Sequence, residues 1–434
     1  MYNVLEFGAI ADGKTLATAA IQAAIDACHA NGGGTVNIPA GRYVTGSIFL
    51  KDHVELHLCH GATLAASTDL ADYNADDAYE QNYGSTAEEW RPKHLIMAIE
   101  CTDVAISGSG TIDASGDFFY EDAKFYPDYE WMTGYAWRQG MAYARDKELL
   151  RPGQVVCFIE CTDVRVYDVT IRNSPAWSLF LHGCERVTVR GVRIFNPPHF
   201  GNTDGIDIDC CRFVTVSDCI IDTGDDAITL RTAATRLKKP RPCEFITITN
   251  CVLSCSVMAI RIGVGTGNIR HVCISNIVIP RAGAALQCIT SYSGRGCAEI
   301  EDIHISGVSG SDLGHIMHLK GEVGSIRRMT LENMRLCGIG NLRIEAEDSC
   351  KIEDVTLRHV RITVNAEKEI PDARRRAARG EYMVSLKGAR NLSLEDVHVE
   401  APYSSAYAWS GGFLQSQCPQ LTVKDCVFPD FEAQ

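Results

Sequence analysis

The chain has 434 residues, of which 46% are hydrophobic, and its formal net charge is −14 at pH 7. This negative charge argues against nucleic acid and anionic membranes as partners, and no run of roughly 18 apolar residues predicts a membrane-spanning helix. Residues 1–6 lack the basic segment followed by an apolar run that is typical of a secretory signal. We therefore expect a large cytoplasmic protein, or a secreted one if a signal has been removed; its oligomeric state is left open.

The first predicted element is a helix. Within residues 15–29, apolar side chains recur at helical spacing, namely Ala20, Ile21, Ala24, Ile25 and Cys28. Three glycines at 32–34 end the pattern, and the first strand-like segment follows directly. We interpret residues 1–34 as a cap, because an uncovered end of a repetitive β fold exposes strand edges and apolar core.

From residue 101 onwards one phrase recurs: a cysteine, two residues, and then alternating β-branched positions. Its copies begin at Cys101, Cys161, Cys184, Cys211, Cys243, Cys297, Cys350 and Cys418. Alternation of this kind predicts strands, and self-similarity at a repeat of about 20–50 residues predicts a solenoid. The sequence therefore predicts an all-β fold, a right-handed parallel β-helix forming a single domain over residues 1–434. Two β-sandwich domains are the alternative, but they would not repeat one phrase.

The cysteines form a pattern of their own. The chain has 19 of them, and coils that stack would align many of them in a buried ladder of soft side chains. Free cysteines in this number fit a reducing compartment. No CxxC pair has metal-ligand spacing, so we expect no metal and no cofactor. Of the adjacent pair Cys210 and Cys211, we expect one to point inward and one outward.

Three insertions interrupt the coils, at about 73–94, 114–150 and 364–381. The segment 114–150 is dense in aromatic residues, among them Tyr120 and Trp131. Aromatic faces suit sugar rings, although a small satellite core under a long loop is an equally good interpretation. Walls on both sides would turn a cleft into a pocket and favour an exo-acting enzyme.

Two acidic motifs carry the predicted chemistry, residues 202–205 and 224–226. Asp204 and Asp225 are 21 positions apart (225 − 204), about one coil, and adjacent coils stack about 4.8 Å apart. Together with Asp226 they would place three carboxylates on one face, able to protonate a leaving group and to activate a water, as glycoside hydrolysis requires. Ordinary turn capping is the alternative.

The strand after the first motif contains two more carboxylates. If Ile206 and Ile208 point into the core, Asp207 and Asp209 point outward. We expect Asp207 to support the cleft, and Asp209 and Asp222 to be surface or turn groups. Four histidines are further candidates for a pocket: His182, His199, His315 and His318.

The order of the motifs resembles that of the polygalacturonase-type glycoside hydrolases, a family of right-handed parallel β-helix enzymes, with this chain as a divergent member. The resemblance rests on six segments, residues 7–9, 38–43, 108–113, 173–177, 202–205 and 224–226. It implies hydrolysis with inversion, Asp225 as the general acid, and Asp204 and Asp226 as the groups that hold and deprotonate water. An acid–base separation of about 6.5–9.5 Å is then expected. Trp177, which closes the segment 173–177, and His199 are taken as substrate-binding candidates.

The departures from the family are equally informative. The resemblance predicts a histidine where this chain has Met258, and an Arg-Ile-Lys motif where it has Gln287-Cys288-Ile289. An arginine is the natural reader of a carboxylate, so the usual uronate-binding groups are missing. Arg261 and then Arg231, both outward by alternation, are the candidates to replace them.

Three functions remain compatible with the sequence. The first is an inverting glycoside hydrolase on a pectin-related or other oligo- or polysaccharide, exo-acting and with a non-standard substrate. The second is a polysaccharide lyase or epimerase on the same fold, for which Ca²⁺ and a basic residue would be needed. The third is a non-catalytic carbohydrate-binding β-helix.

Overall fold

The computed structural model describes residues 1–74, 93–121, 134–141, 145–146, 151–234, 237–291, 296–364, 381–402 and 409–429. Most of the three predicted insertions therefore lies outside the described residues. The longest helix in these ranges, α1, is Thr18–Ala30. Shorter helical segments are the 3-10 turns Val4–Phe7 and Leu70–Asp72 and the helices Gly116–Phe119 and Tyr135–Arg138. None of these described helices is both long and apolar enough to cross a membrane.

Contacts between residues divide the chain into two compact units. The first comprises Met1–Lys124, Tyr143–Asp225 and Ala233–Ile246, and the second comprises Phe125–Ala142, Asp226–Thr232 and Thr247–Gln434. One boundary falls between the consecutive residues Asp225 and Asp226. That the whole chain forms a single domain stays a prediction.

The first unit is built from short parallel strands. In chain order they are β1 Tyr2–Asn3, β2 Asp12–Leu16, β3 Gly34–Ile38, β4 Gly41–Thr45, β5 Ile48–Phe49, β6 Val54–Leu58, β7 Ala62–Ala66, β8 Ile96–Ile99, β9 Thr102–Ser107, β10 Thr111–Asp113, β11 Tyr120–Glu121, β12 Arg145–Asp146, β13 Val156–Ile159, β14 Thr162–Tyr167, β15 Thr170–Arg172, β16 Leu179–His182, β17 Glu185–Arg190, β18 Arg193–Phe195, β19 Ile206–Asp209, β20 Arg212–Ser217 and β21 Ile220–Thr223. The pair β11 and β12 is antiparallel and separate.

Successive coils of this unit each give one strand to three parallel ladders. The ladders are β3–β6–β9–β14–β17–β20, β4–β7–β10–β15–β18–β21 and β5–β8–β13–β16–β19. Strands distant in sequence thus become neighbours, which is the defining feature of a parallel β-helix. The predicted fold class is confirmed in this unit.

The second unit continues the same principle, and several of its strands are longer. They are β22 Ile228–Thr232, β23 Cys243–Cys255 (which contains a unit boundary), β24 Met258–Gly265, β25 Asn268–Ile279, β26 Ala282–Ile289, β27 Glu299–Gly338, β28 Leu342–Val364, β29 Tyr382–Lys387, β30 Arg390–Glu400, β31 Gly411–Ser416 and β32 Thr422–Lys424. One ladder runs β22–β24–β26–β27–β28–β29–β31 and another β25–β27–β28–β30–β32, all parallel.

The core consists of rows of aliphatic side chains in register. Val156, Leu179 and Ile206 occupy one row of the first unit, and all three are fully buried. Burying a side chain of this size stabilises the fold by about 1.5–3 kcal/mol, and each coil repeats the gain. The helix α1 buries Ile21 and Ile25 and packs on β3, β5 and β6, so the predicted amphipathic cap helix is confirmed.

The cysteine ladder is also confirmed. The thiol of Cys161 donates to the Ala98 carbonyl at 3.3 Å, and the thiol of Cys184 donates to the Phe158 carbonyl at 3.2 Å, so each thiol satisfies a carbonyl of an earlier coil. All 19 cysteines are free. Cys210 and Cys211 are both fully buried, and which of them points inward and which outward stays a prediction.

Candidate active site

The three predicted catalytic carboxylates meet. Asp204 lies in the turn before β19, and Asp225 and Asp226 lie in the turn before β22. Their exposures are 5%, 3% and 4%, and one carboxylate oxygen of each lies within 4.8 Å of those of the other two. The expected acid–base separation of about 6.5–9.5 Å between carboxyl groups stays a prediction. Three oxygens within 4.8 Å of one another also have the chemistry to hold a hard cation.

Backbone donors and hydroxyls fix the turn that carries Asp225. The Asn202 N–H donates to Asp225 Oδ2 at 2.7 Å, and the Thr223 hydroxyl donates to the Asp225 carbonyl at 3.0 Å. Thr203 ties the two motifs together, since its hydroxyl oxygen accepts from the Gly224 N–H at 3.2 Å. A β-carbon on Gly224 would collide with the Phe200 carbonyl. The Gly-Asp-Asp motif therefore needs its glycine for close backbone approach.

The Asp226 carboxylate is held by two donors from β24. The Met258 N–H donates to Oδ1 at 2.9 Å, and Arg261 Nη2 donates to the same oxygen at 3.3 Å, while Arg261 Nε pairs with Oδ2. Arg261 is 8% exposed. Met258 thus stands where the family resemblance predicts a histidine, and it contacts Asp226 through its backbone N–H. Arg231, the second predicted clamp, is 4% exposed on β22.

The strand β19 carries two other aspartates, and the expectation for one of them, Asp209, is wrong. Asp209 is fully buried instead of lying at the surface, and its Oδ2 lies 3.3 Å from Nδ1 of the equally buried His182. Its Oδ1 also accepts from the Ala233 N–H at 2.7 Å. Asp207 is fully buried as well and lies in register with Phe180. Alternation predicted the direction of these side chains but not that further protein covers them.

The two remaining candidates lie in aromatic surroundings. Trp177 is 7% exposed and packs edge-on against Phe180 in a cluster with Met97 and Cys157. His199 is half-buried and packs edge-on against Phe200. Trp177 is thereby a core side chain in this structure, and the substrate-binding role of both residues stays a prediction.

Sequence reasoning missed Arg151, which follows the aromatic insertion. Its Nη2 donates to Asn202 Oδ1 at 3.1 Å and its Nη1 donates to the Tyr120 hydroxyl at 3.1 Å. Tyr120 stacks on Phe200 with ring centroids 4.2 Å apart. Because Asn202 also donates its N–H to Asp225, Arg151 supports the turn beside that carboxylate. The aromatic content of residues 114–150 pointed to Tyr120 as a candidate in the sequence, whereas a single arginine at the end of an insertion gives no such signal.

Comparison with known proteins agrees with this geometry. The model of glycosyl hydrolases family 28 matches residues 28–279. The chain belongs to this family. A probable polygalacturonase of Vitis vinifera is 26% identical over 332 residues, which is 74% of this chain and 63% of that relative, so the match spans less than two thirds of the relative's length.

Two solved family 28 structures are similar in fold. An exopolygalacturonase from Thermotoga maritima matches with a TM-score of 0.66 at 22% identity, covering 91% of each chain. A family 28 exopolygalacturonase from Yersinia enterocolitica matches with a TM-score of 0.71 at 21% identity, covering 97% of this chain and 78% of that one. These likenesses confirm the right-handed parallel β-helix.

Proposed function

We propose that this family 28 member is a glycoside hydrolase that cleaves an oligo- or polysaccharide of the pectin type. The meeting of Asp204, Asp225 and Asp226 within 4.8 Å carries the proposal. Cleavage of a glycosidic bond needs one carboxyl group that protonates the departing oxygen and a second that acts on water or on the sugar. Like charges held this close also favour keeping one of them protonated.

The hydrogen bonds divide the roles among the three groups. Asp226 Oδ1 accepts from the Met258 N–H and from Arg261 Nη2, and its Oδ2 forms an ion pair with Arg261 Nε; accepting is the role of an ionised carboxylate. Asp226, with Asp204, orients and deprotonates the attacking water. Asp225 accepts a backbone N–H at Oδ2, and it is the residue we assign as the general acid.

The proposed stereochemical outcome is inversion, which the family resemblance implies. The short spacing of the carboxylate oxygens makes this a sharp test, because a separation near 5–5.5 Å is the one ordinarily found with retention. Three carboxylates differ from a simple pair, since two of them can share one water.

Binding of the substrate differs at one subsite from the pattern that the family resemblance predicts. Gln287 lies in register with Arg261, and Ile289 with Gly263, so neither cation of the family's Arg-Ile-Lys motif stands on β26. Arg261 itself contacts Asp226, which makes it a weaker candidate for the missing clamp than the sequence suggested. We propose that the enzyme acts at the end of a polysaccharide chain and binds the acidic groups of that chain at residues other than those of the Arg-Ile-Lys motif.

A substrate screen with product analysis tests the proposal. Aryl glycosides, defined oligogalacturonates and neutral oligosaccharides are incubated with the parent, with Asp225→Asn and with Asp218→Asn. Asp218 is an exposed aspartate at φ 59°, a conformation that asparagine tolerates, so its variant is a matched control. We expect saturated sugar products from the parent and the control and a large loss with Asp225→Asn. No turnover of any glycoside by the parent would instead support a binding protein.

The cation-holding geometry of the three aspartates supports a second candidate, a Ca²⁺-dependent lyase or epimerase. Addition of a chelator separates the two candidates. Activity lost on chelation, with unsaturated products absorbing in the ultraviolet, would favour the lyase; activity that survives chelation favours hydrolysis.

A further inference from the structure

A row of polar side chains follows one face of the second unit. Strand pairing places Arg261 beside Gln287, Gln287 beside His318, and His318 beside Arg343. Each step is one coil, so Arg343 lies about 14 Å from the Arg261 position at about 4.8 Å per coil. One cation, Arg343, therefore lies in the same row two coils beyond β26.

A second histidine, His315, lies next to His318 of this row. The ring centroids of His315 and His318 are 4.2 Å apart, and His315 is 4% exposed. His318 Nε2 lies 3.4 Å from Asn341 Oδ1, and the Asn341 amide donates in turn to the Tyr382 carbonyl at 3.2 Å. Among the described residues, none makes a hydrogen bond to the buried Nδ1 of His315. A buried polar nitrogen without a partner is costly.

The charges around the two rings are mainly positive. Burial and the nearby cations, including Arg343, lower the pKa of both histidines. Arg138 lies close enough to contribute to this effect on His315 and is itself fixed, donating to the Asp312 carbonyl at 2.7 Å and pairing with its carboxylate at 3.3 Å.

The acidic groups of this region have partners of their own. Asp312 pairs with Arg138, Glu322 pairs with Lys320 at 3.5 Å, and Glu345 accepts from the Ser385 hydroxyl at 2.9 Å. Two of these three carboxylates are therefore neutralised by a cation.

We propose that His318 and Arg343, with His315 behind them, form a binding site for the carboxylate of an acidic sugar residue, three coils beyond Arg261. The guanidinium supplies the charge-assisted, two-pronged contact that a carboxylate prefers, and His318 lies beside it in the same row. The inference rests on the proposed function, because it takes the occupant to be a distal residue of the chain cleaved at the aspartates. The protein therefore binds the acidic sugar at a distance from the bond that it cleaves.

Binding is measured separately from turnover, so that the site and the hydrolase activity can fail independently. Asp225→Asn protein, which we expect to be inactive, is titrated with oligogalacturonates of increasing length and with their fully methyl-esterified forms. We expect tight binding only for free acids long enough to reach Arg343. Arg343→Gln on this background should weaken their binding about 10- to 100-fold, the scale of a lost charge-assisted hydrogen bond, and should leave the esters unchanged.

Arg335→Gln is the matched control, since Arg335 is an exposed arginine of β27 and its loss changes the net charge equally. Arg343→Lys retains charge without the fork and should give an intermediate loss; it also covers the case that Arg343→Gln does not fold. Equal affinity of Arg343→Gln and the Arg335→Gln control for the free acids would overturn the proposal, as would equal weakening for acids and esters. Acid-selective binding by an otherwise inactive parent would sustain this site while rejecting hydrolysis.

Discussion

Arg261 and Asp226 form a buried ion pair in which the guanidinium contacts both carboxylate oxygens, with Nη2 3.3 Å from Oδ1. The side chains are 10% and 5% exposed. An arginine that sequence reasoning assigned to the substrate is thus engaged by a candidate catalytic group. The arrangement positions Asp226 more directly than it could position a sugar.

Replacing Arg261 separates positioning from substrate clamping. Arg261→Gln should reduce kcat about 10²-fold on acidic and neutral substrates alike, since displacing a reacting group costs about this much. The variant should also lose about 3–5 kcal/mol of stability, because one partner of a buried pair remains. Steady-state kinetics on both substrate classes, with denaturant unfolding as the check on folding, measure the two effects. A loss confined to acidic sugars would show that Arg261 is the clamp after all.

Asp225→Asn tests the assignment of the general acid. We expect a decrease in rate of about 10²- to 10⁴-fold, smallest for aryl glycosides with good leaving groups, because these depart without a proton. The rate constant is compared across a series of phenols of different acidity. An equal decrease for every leaving group would remove Asp225 from this role and leave it a structural one.

The first-formed sugar should have the inverted anomeric configuration. NMR spectra recorded within the first minutes of reaction, before mutarotation, identify the anomer directly. Inversion requires water to attack opposite the leaving group, with Asp204 and Asp226 as its partners. A retained anomer or a trapped glycosyl-enzyme would show that one of the three carboxylates, whose oxygens lie within 4.8 Å of one another, acts as a nucleophile.

The adjacent histidines His315 and His318 should make the protein sensitive to mild acid. Burial lowers the pKa of His318 to about 3 and lowers that of His315 well below its ordinary value, whereas in the unfolded chain a histidine titrates near 6.5. Between about pH 6.5 and 3 the unfolded state therefore binds more protons, so stability falls as pH falls through this range. Denaturant midpoints at pH 7, 6, 5 and 4 should decline less steeply for His315→Gln/His318→Gln than for the parent. The exposed His60→Gln is the control; identical slopes for parent and double variant would contradict the expectation.

The cysteine ladder should resist thiol reagents in the native state. Burial raises the pKa of the Cys161 and Cys184 thiols well above the ordinary value, so neither forms the reactive thiolate at pH 8. Cys273 is exposed on β25 and should react first. Mass spectrometry after brief alkylation should find label at Cys273 and, only after denaturation, at Cys161 and Cys184. Rapid native labelling of Cys184 would show that the ladder opens locally.

Local pattern was enough to predict the coil. The repeated phrase from Cys101 onwards predicted the strands and the thiol ladder, because each coil contacts mainly its neighbours and strand register follows from period-two alternation. Helical spacing of apolar residues within 15–29 predicted the cap helix. The spacing of Asp204 and Asp225 likewise predicted that they meet, since one coil separates them. The resemblance of the motifs supplied the family.

Contacts between distant segments decided the rest. Alternation placed Asp207 and Asp209 away from the core but could not show that His182 and further chain bury them. Three further relationships depend on residues from separate coils or insertions. They are the Arg261–Asp226 pair, the hydrogen bond from Arg151 to Asn202, and the alignment of His318 with Arg343. Sequence by itself determined the scaffold, because its stabilising pattern repeats locally. Tertiary structure decided which charges face one another, because variable loop lengths between coils set that register and no local pattern records it.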